Sequence, residues 1–114
     1  MKDSAVENEL AYQLDVTGIP YERQVAAIPG RKFRFDFAIL NYLIEVNGST
    51  WVANTGHTSG RGLSRDYEKS NLAEVLGYHV LTFTTDMIYS GEALKVIENA
   101  LHNAERGENG RKTQ

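Results

Sequence analysis

The chain has 114 residues, of which 41% are hydrophobic and 24% charged, with a net charge of −3 and no cysteine. That length and composition predict one globular domain with a single core, and the lack of thiols excludes disulfides, thiolate metal sites and cysteine nucleophiles. No stretch approaches 18 consecutive apolar residues and no basic start leads into an apolar run, so the expectation is a cytoplasmic protein without a membrane-spanning helix.

Val6, Leu10 and Leu14, with Ala5, Tyr12 and Val16 beside them, recur at helical spacing until Gly18 and Pro20, which predicts a helix over 4–16. Residues 21–28 alternate and read as a first strand, and Pro29-Gly30-Arg31-Lys32 reads as a turn. Phe33, Phe35, Phe37 and Ile39 then alternate with Arg34, Asp36 and Ala38, and Ile44 and Val46 alternate with Leu43, Glu45 and Asn47. In a strand such alternation sorts side chains to two faces, so the phenylalanines face a core and Asp36 and Glu45 share the polar side of a hairpin. With Asn41-Tyr42 as the turn, Asp36 pairs with Asn47 and Ala38 with Glu45, leaving the acids diagonal neighbours about 7 Å apart. Two carboxylates so placed suit one hard divalent cation, Mg²⁺ or Mn²⁺. Such an ion takes one or two protein carboxylates and fills its shell with water and substrate phosphate.

Residues 48–62 contain Gly48, Gly56, Gly60 and Gly62 among Ser, Thr and Asn, which predicts a long loop, and long loops tend to carry function. Ser64 suits the cap of a helix reaching about Leu76, with Tyr67, Leu72, Val75 and Leu76 turned inward and Gly77 as the stop. A strand over 78–84 follows, in a position that permits parallel addition to the sheet. A helix over 90–105 then carries Leu94, Ile97, Ala100 and Leu101 as its apolar stripe. The domain is expected over 1–106, with a disordered polar tail over 107–114.

Charge is unevenly spread. Residues 31–69 hold six bases against four acids, +2, while the remainder holds six against eleven, −5, so the basic segment coincides with the acid pair. Arg31, Lys32 and Arg34 lie in that segment, and Arg61 and Arg65 have the bidentate geometry that clamps phosphate. Trp51 either stacks on a base or covers the sheet. His57, among loop glycines, suits a general acid or base near neutral pH, or is simply exposed. His79 reads as structural and His102 as a helix-surface residue.

The order α-β-β-β-α-β-α, with an acid on the first helix, Asp36 on the second strand and Glu45 on the third, resembles the PD-(D/E)xK nuclease superfamily. More narrowly, Arg31-Lys32-Phe33-Arg34-Phe35-Asp36-Phe37, Ile44-Glu45-Val46-Asn47-Gly48 and Glu68-Lys69-Ser70-Asn71, followed by Gly77-Tyr78-His79-Val80-Leu81-Thr82-Phe83-Thr84, resemble the small single-domain members related to very-short-patch-repair endonucleases, common in phages and mobile elements. The resemblance covers about residues 5–100. It implies an α+β, restriction-endonuclease-like αβββαβ core, a mixed four-stranded sheet flanked by helices with an extra C-terminal helix. It also implies Mg²⁺-dependent hydrolysis of DNA phosphodiesters, by nicking, homing or structure-directed cleavage, in a phage or bacterial setting. Asp36 and Glu45 would be the main metal ligands, and Glu9, which occupies the family's first-helix position better than Glu7, would add a further ligand directly or through water. Those two acids lie about 200° apart on a helix, so only one can face the site. The superfamily's third strand ends Glu-x-Lys, and here Asn47 stands where the lysine should be. Relatives carry that lysine on the following helix, where Lys69 is the candidate; otherwise Lys69 is a surface residue paired with neighbouring acids. A homodimer would be needed for concerted double-strand cuts. The alternatives are a Holliday-junction resolvase, a catalytically inactive nucleic-acid-binding module of the same fold, or a host-interaction protein of mobile-element origin.

Overall fold

The computed structural model describes residues 5–47 and 60–112, with side chains described over 5–47 and 64–105. Helix α1 (Ala5–Thr17) leads into strands β1 (Glu22–Val25), β2 (Phe35–Ile39) and β3 (Tyr42–Asn47), an antiparallel meander. Strand β4 (His79–Thr84) adds parallel to β3 and completes a sheet of order β1-β2-β3-β4. Parallel neighbours cannot be joined by a tight turn, and helix α2 (Gly60–Val75) makes the crossover. Helices α3 (Thr85–Tyr89) and α4 (Glu92–Lys112) follow. The architecture is the expected α+β one, a mixed four-stranded sheet flanked by helices.

Helices α1 and α2 end in the same way. Gly18 and Gly77 take φ of +76° and +98°, which only glycine adopts cheaply. The next N–H then folds back, Ile19 to the Leu14 carbonyl and Tyr78 to the Ala73 carbonyl, both at 3.0 Å, satisfying carbonyls the helix end would orphan.

Both faces of the sheet are covered. Leu10, Ala11 and Leu14 of α1, Ile88 of α3, and Ala93 and Ile97 of α4 pack with Phe37, Ile39, Ile44 and Phe83 on one face. On the other, Ala73 of α2 packs with Ile28, Phe35 and Leu43. Helix α2 covers the polar side of the hairpin, where its Lys69 meets Glu45. Phe35 departs from the expected alternation, joining the α2 side while Phe37 and Ile39 face α1. The β2–β3 pairing runs from Ile39↔Tyr42 only to Phe37↔Ile44, and beyond it the Val46 N–H is taken by the Asp36 side chain. Strand β2 leaves regular pairing at the acid.

Other expectations shift for local reasons. The hairpin turn is Leu40-Asn41, with Leu40 at φ +53°, in place of Asn41-Tyr42. Strand β1 is shorter than 21–28. Helix α2 begins at Gly60, inside the expected loop, so Ser64 does not start it. Of its residues expected inward only Leu72 packs against the core, beside the buried Ala73; Tyr67 is 62% and Val75 82% exposed, and Leu76 is also exposed. The small side chain of Ala73 lets the helix approach the sheet. Helix α3, missed entirely, is capped by Thr84, whose Oγ1 accepts from the Met87 N–H at 3.2 Å. Helix α4 continues to Lys112, through most of the expected tail, because extending an existing helix orders one residue per added hydrogen bond. Among the described residues no helix is long and apolar enough to cross a membrane.

Candidate active site

Asp36 and Glu45 are neighbours, near enough that Asp36 acts on the Glu45 carboxyl by charge and by hydrogen bond. Ala38↔Leu43 and Phe37↔Ile44 are paired, two residues off the expected register, and regular pairing stops there, one residue short of both acids. On the far side of β3, Glu45 pairs with Thr82 of β4 and Asn47 with Thr84. The acids thus lie toward the carboxyl ends of the parallel pair β3–β4, where crossover helices leave a crevice in such sheets.

Asp36 is held from both flanks. Its Oδ2 accepts the Val46 N–H at 2.7 Å, and its Oδ1 accepts from Gln24 Nε2 at 3.4 Å. Gln24 Nε2 also reaches Glu7 Oε1 at 3.5 Å, so β1 ties the first helix to Asp36. Arg23 adds a 3.6 Å ion pair to Glu7 and a 3.2 Å hydrogen bond to Asn8.

Glu45 is bonded by the ammonium of Lys69, which also sits 4.6 Å from the centre of the Phe35 ring. Lys69 lies one helical turn before Ala73 and one after Asp66, so Asp66, Lys69, Ser70 and Ala73 form one stripe of α2 facing the sheet. Its lower end is core and its upper end is chemistry. Asp66, Lys69 and Ser70 line a cleft of about 310 Å³ with Glu45, Val46, Asn47 and Thr82. Burial pushes the Glu45 carboxyl from its ordinary 4.5 up to about 7, with the nearby Asp36 charge adding to the rise and Lys69 opposing it. A carboxylate held against another carboxylate in a shielded cleft suits a positive partner beyond one ammonium.

Among the described residues no cluster of three or more His, Asp or Glu forms a ready cage. The donor set is a carboxylate pair of which Glu45 lines the polar cleft, and it fits a hard cation that completes its shell with water and phosphate.

The other expected residues divide. Glu9 accepts from Gln13 Nε2 at 2.8 Å, and that amide also donates to the Ile88 carbonyl at 3.0 Å, so Glu9 stands beside α3. Glu7 is the first-helix acid joined to Asp36. A signal was present, because Glu7 shares a helical face with the buried Leu10, Ala11 and Leu14, and that face meets the sheet. Arg31 pairs with Glu68 at 2.5 Å and lies 4.7 Å from the Phe33 ring centre. With Lys32, Phe33, Arg65 and Glu68 it lines a second cleft on the other flank of α2. Arg34 donates to the Gln24 carbonyl at 3.2 Å. Trp51 and His57 lie outside the described residues, as does the side chain of Arg61. His79 stacks on Tyr42 with ring centres 5.1 Å apart, and His102 is exposed on α4. Gln24, Asp66, Ser70 and Thr82 were not foreseen. For the α2 pair the signal was the i, i+3, i+4, i+7 spacing ending on Ala73.

No protein-family model and no curated protein matches this chain. Among solved structures it is similar to the catalytic domain of the homing endonuclease I-Bth0305I, at 21% identity over 85% of this chain and 92% of that one, with a TM-score of 0.63. At that identity the likeness is one of fold, and the fold is nuclease-like.

Proposed function

We propose that the protein is a metal-dependent DNA endonuclease whose site is the Asp36–Glu45 pair under α2. The observation that carries this reading is the approach of two carboxylates from adjacent strands, one of which, Glu45, has its pKa raised to about 7 and lines a cleft that also receives the Lys69 ammonium. The likeness in fold to a homing endonuclease catalytic domain supports the choice of chemistry and of DNA as substrate. Asp36 and Glu45 would hold Mg²⁺ or Mn²⁺, with Glu7 standing behind them through Gln24. Such an ion, when bound, neutralises phosphate charge and lowers the pKa of a bound water.

The protein's own groups do the rest. Lys69 favours the charged, ligating form of Glu45 against the burial that raises its pKa, and supplies the cation that Asn47 lacks in the motif position. Its ammonium is held by two contacts, Glu45 and the Phe35 ring, so it is fixed before substrate arrives. Arg31, Lys32 and Arg65 line the cleft on the opposite flank of α2, so a phosphate backbone crossing that helix meets cations on one side and the acid pair on the other. Arg34 and Arg61 extend the same basic segment, and His57 and Trp51 are assigned to proton transfer and base stacking.

Incubation with supercoiled plasmid, single-stranded DNA and a four-way junction, with Mg²⁺, Mn²⁺ or chelator, tests the proposal. Cleavage with metal, lost with chelator and in Asp36→Ala, is the expected result, and the preferred substrate separates nicking, homing and junction-resolving roles. Tight DNA binding without cleavage in any metal would replace it with the inactive binding module, the reading that Asn47 favours.

A further inference from the structure

Gln24 sits in the middle of β1, yet its φ is +53°, one of two non-glycine residues among the described ones in the left-handed region. A side chain on Cβ disfavours that conformation, and strands require strongly negative φ. Packing does not account for it, because Gln24 is exposed. Nor does the ladder, since Arg23↔Phe37 and Val25↔Phe35 pair normally on either side. The unusual backbone is confined to one residue.

That residue holds an uncharged amide between two acids. Nε2 donates to Glu7 Oε1 at 3.5 Å and to Asp36 Oδ1 at 3.4 Å, and Arg34 anchors the Gln24 carbonyl at 3.2 Å. An amide NH₂ carries two hydrogens and does not titrate, so it can serve both carboxylates at any pH at which they are charged. The other oxygen of Asp36 is already taken by the Val46 N–H. Strained backbone that no packing explains collects where function needs a side chain aimed.

We propose that Gln24 is a positioning residue for the metal site: its amide ties Glu7 to Asp36 and sets how Asp36 presents its oxygens. This rests on the reading of Asp36 and Glu45 as cation ligands. Groups that orient a ligating carboxylate typically change metal affinity by about 10–100-fold when removed.

The decisive variant is Gln24→Gly, because glycine suits φ +53° while lacking the amide. Mn²⁺ titration calorimetry on the full chain, with thermal melts in chelator, compares the parent with Gln24→Gly and Asp36→Ala. The expected result is a Gln24→Gly melting temperature at or above the parent's, together with Mn²⁺ affinity weakened about tenfold or more. Gln24→Ala, which loses the amide but keeps Cβ, should weaken Mn²⁺ equally and also melt lower. Parent-like Mn²⁺ affinity in Gln24→Gly would overturn the positioning role while leaving the acid pair in place, as would a melt far below the parent's, which would make Gln24 a structural support. A parent without saturable Mn²⁺ binding would remove the metal site and this role together.

Discussion

Glu45 makes the site's electrostatics measurable through stability alone. Its folded pKa of about 7 lies above its ordinary 4.5, so between those values the folded chain binds a proton that the unfolded chain has released. The associated stability is fully present below about pH 4.5 and is lost as pH rises through about 7. A difference of that size corresponds to on the order of 3 kcal/mol. Glu45→Gln keeps the shape and resembles the protonated acid. Its stability should therefore match the parent's near pH 4.5 and exceed it by up to about 3 kcal/mol at pH 8, a rise in Tm on the order of 10 °C for a chain of this length. Urea or thermal unfolding of both proteins between pH 4.5 and 8.5, in chelator, reads the effect directly. Added Mn²⁺ at pH 8 should then stabilise the parent and not the variant. A parent whose stability relative to Glu45→Gln is flat or rises across this range would refute the account of a desolvated, acid-flanked carboxylate.

Lys69→Met should remove the opposing charge and push the Glu45 pKa higher, so the pH profile of cleavage moves upward and the rate at pH 7 falls by about 100-fold or more; parent-like cleavage would remove Lys69 from the mechanism. Asp36→Asn should abolish the calorimetric Mn²⁺ signal, since an amide supplies at most one neutral ligand oxygen. Arg31→Ala and Arg65→Ala should each lower the salt dependence of DNA binding by about one phosphate contact while leaving Mn²⁺ affinity unchanged, as read by fluorescence anisotropy against salt. Phe37→Ala, at a fully buried position between α1 and the sheet, should cost about 3–5 kcal/mol in denaturant unfolding.

The comparison of pattern with fold is instructive at single residues. Alternation in 33–39 and 43–47 was enough to separate Phe37, Ile39 and Ile44 on one face from Leu43 and Glu45 on the other, because the two-residue period holds wherever a strand stays regular. It was not enough for Phe35, since the capture of the Val46 N–H by Asp36 ends regular pairing there. The helical repeat located α1, but the choice between Glu7 and Glu9 required knowing that the Leu10–Leu14 face meets the sheet. Helix α2 misled because apolarity was read as inwardness. Its sheet-facing stripe is Asp66, Lys69, Ser70 and Ala73, while Tyr67 and Val75 face outward.

Sequence alone determined the order of elements through β4, the glycine stops at Gly18 and Gly77, and the inward face of Phe37, Ile39 and Ile44, all consequences of backbone conformation and short-range periodicity. Tertiary structure alone decided that β2 leaves the ladder at Asp36, that α2 covers the Glu45 side of the sheet, that Lys69 touches Glu45, and that Gln24 bridges Glu7 to Asp36. These depend on inter-strand hydrogen bonds and on how closely a helix can approach a sheet, quantities set by contacts between residues far apart in the chain.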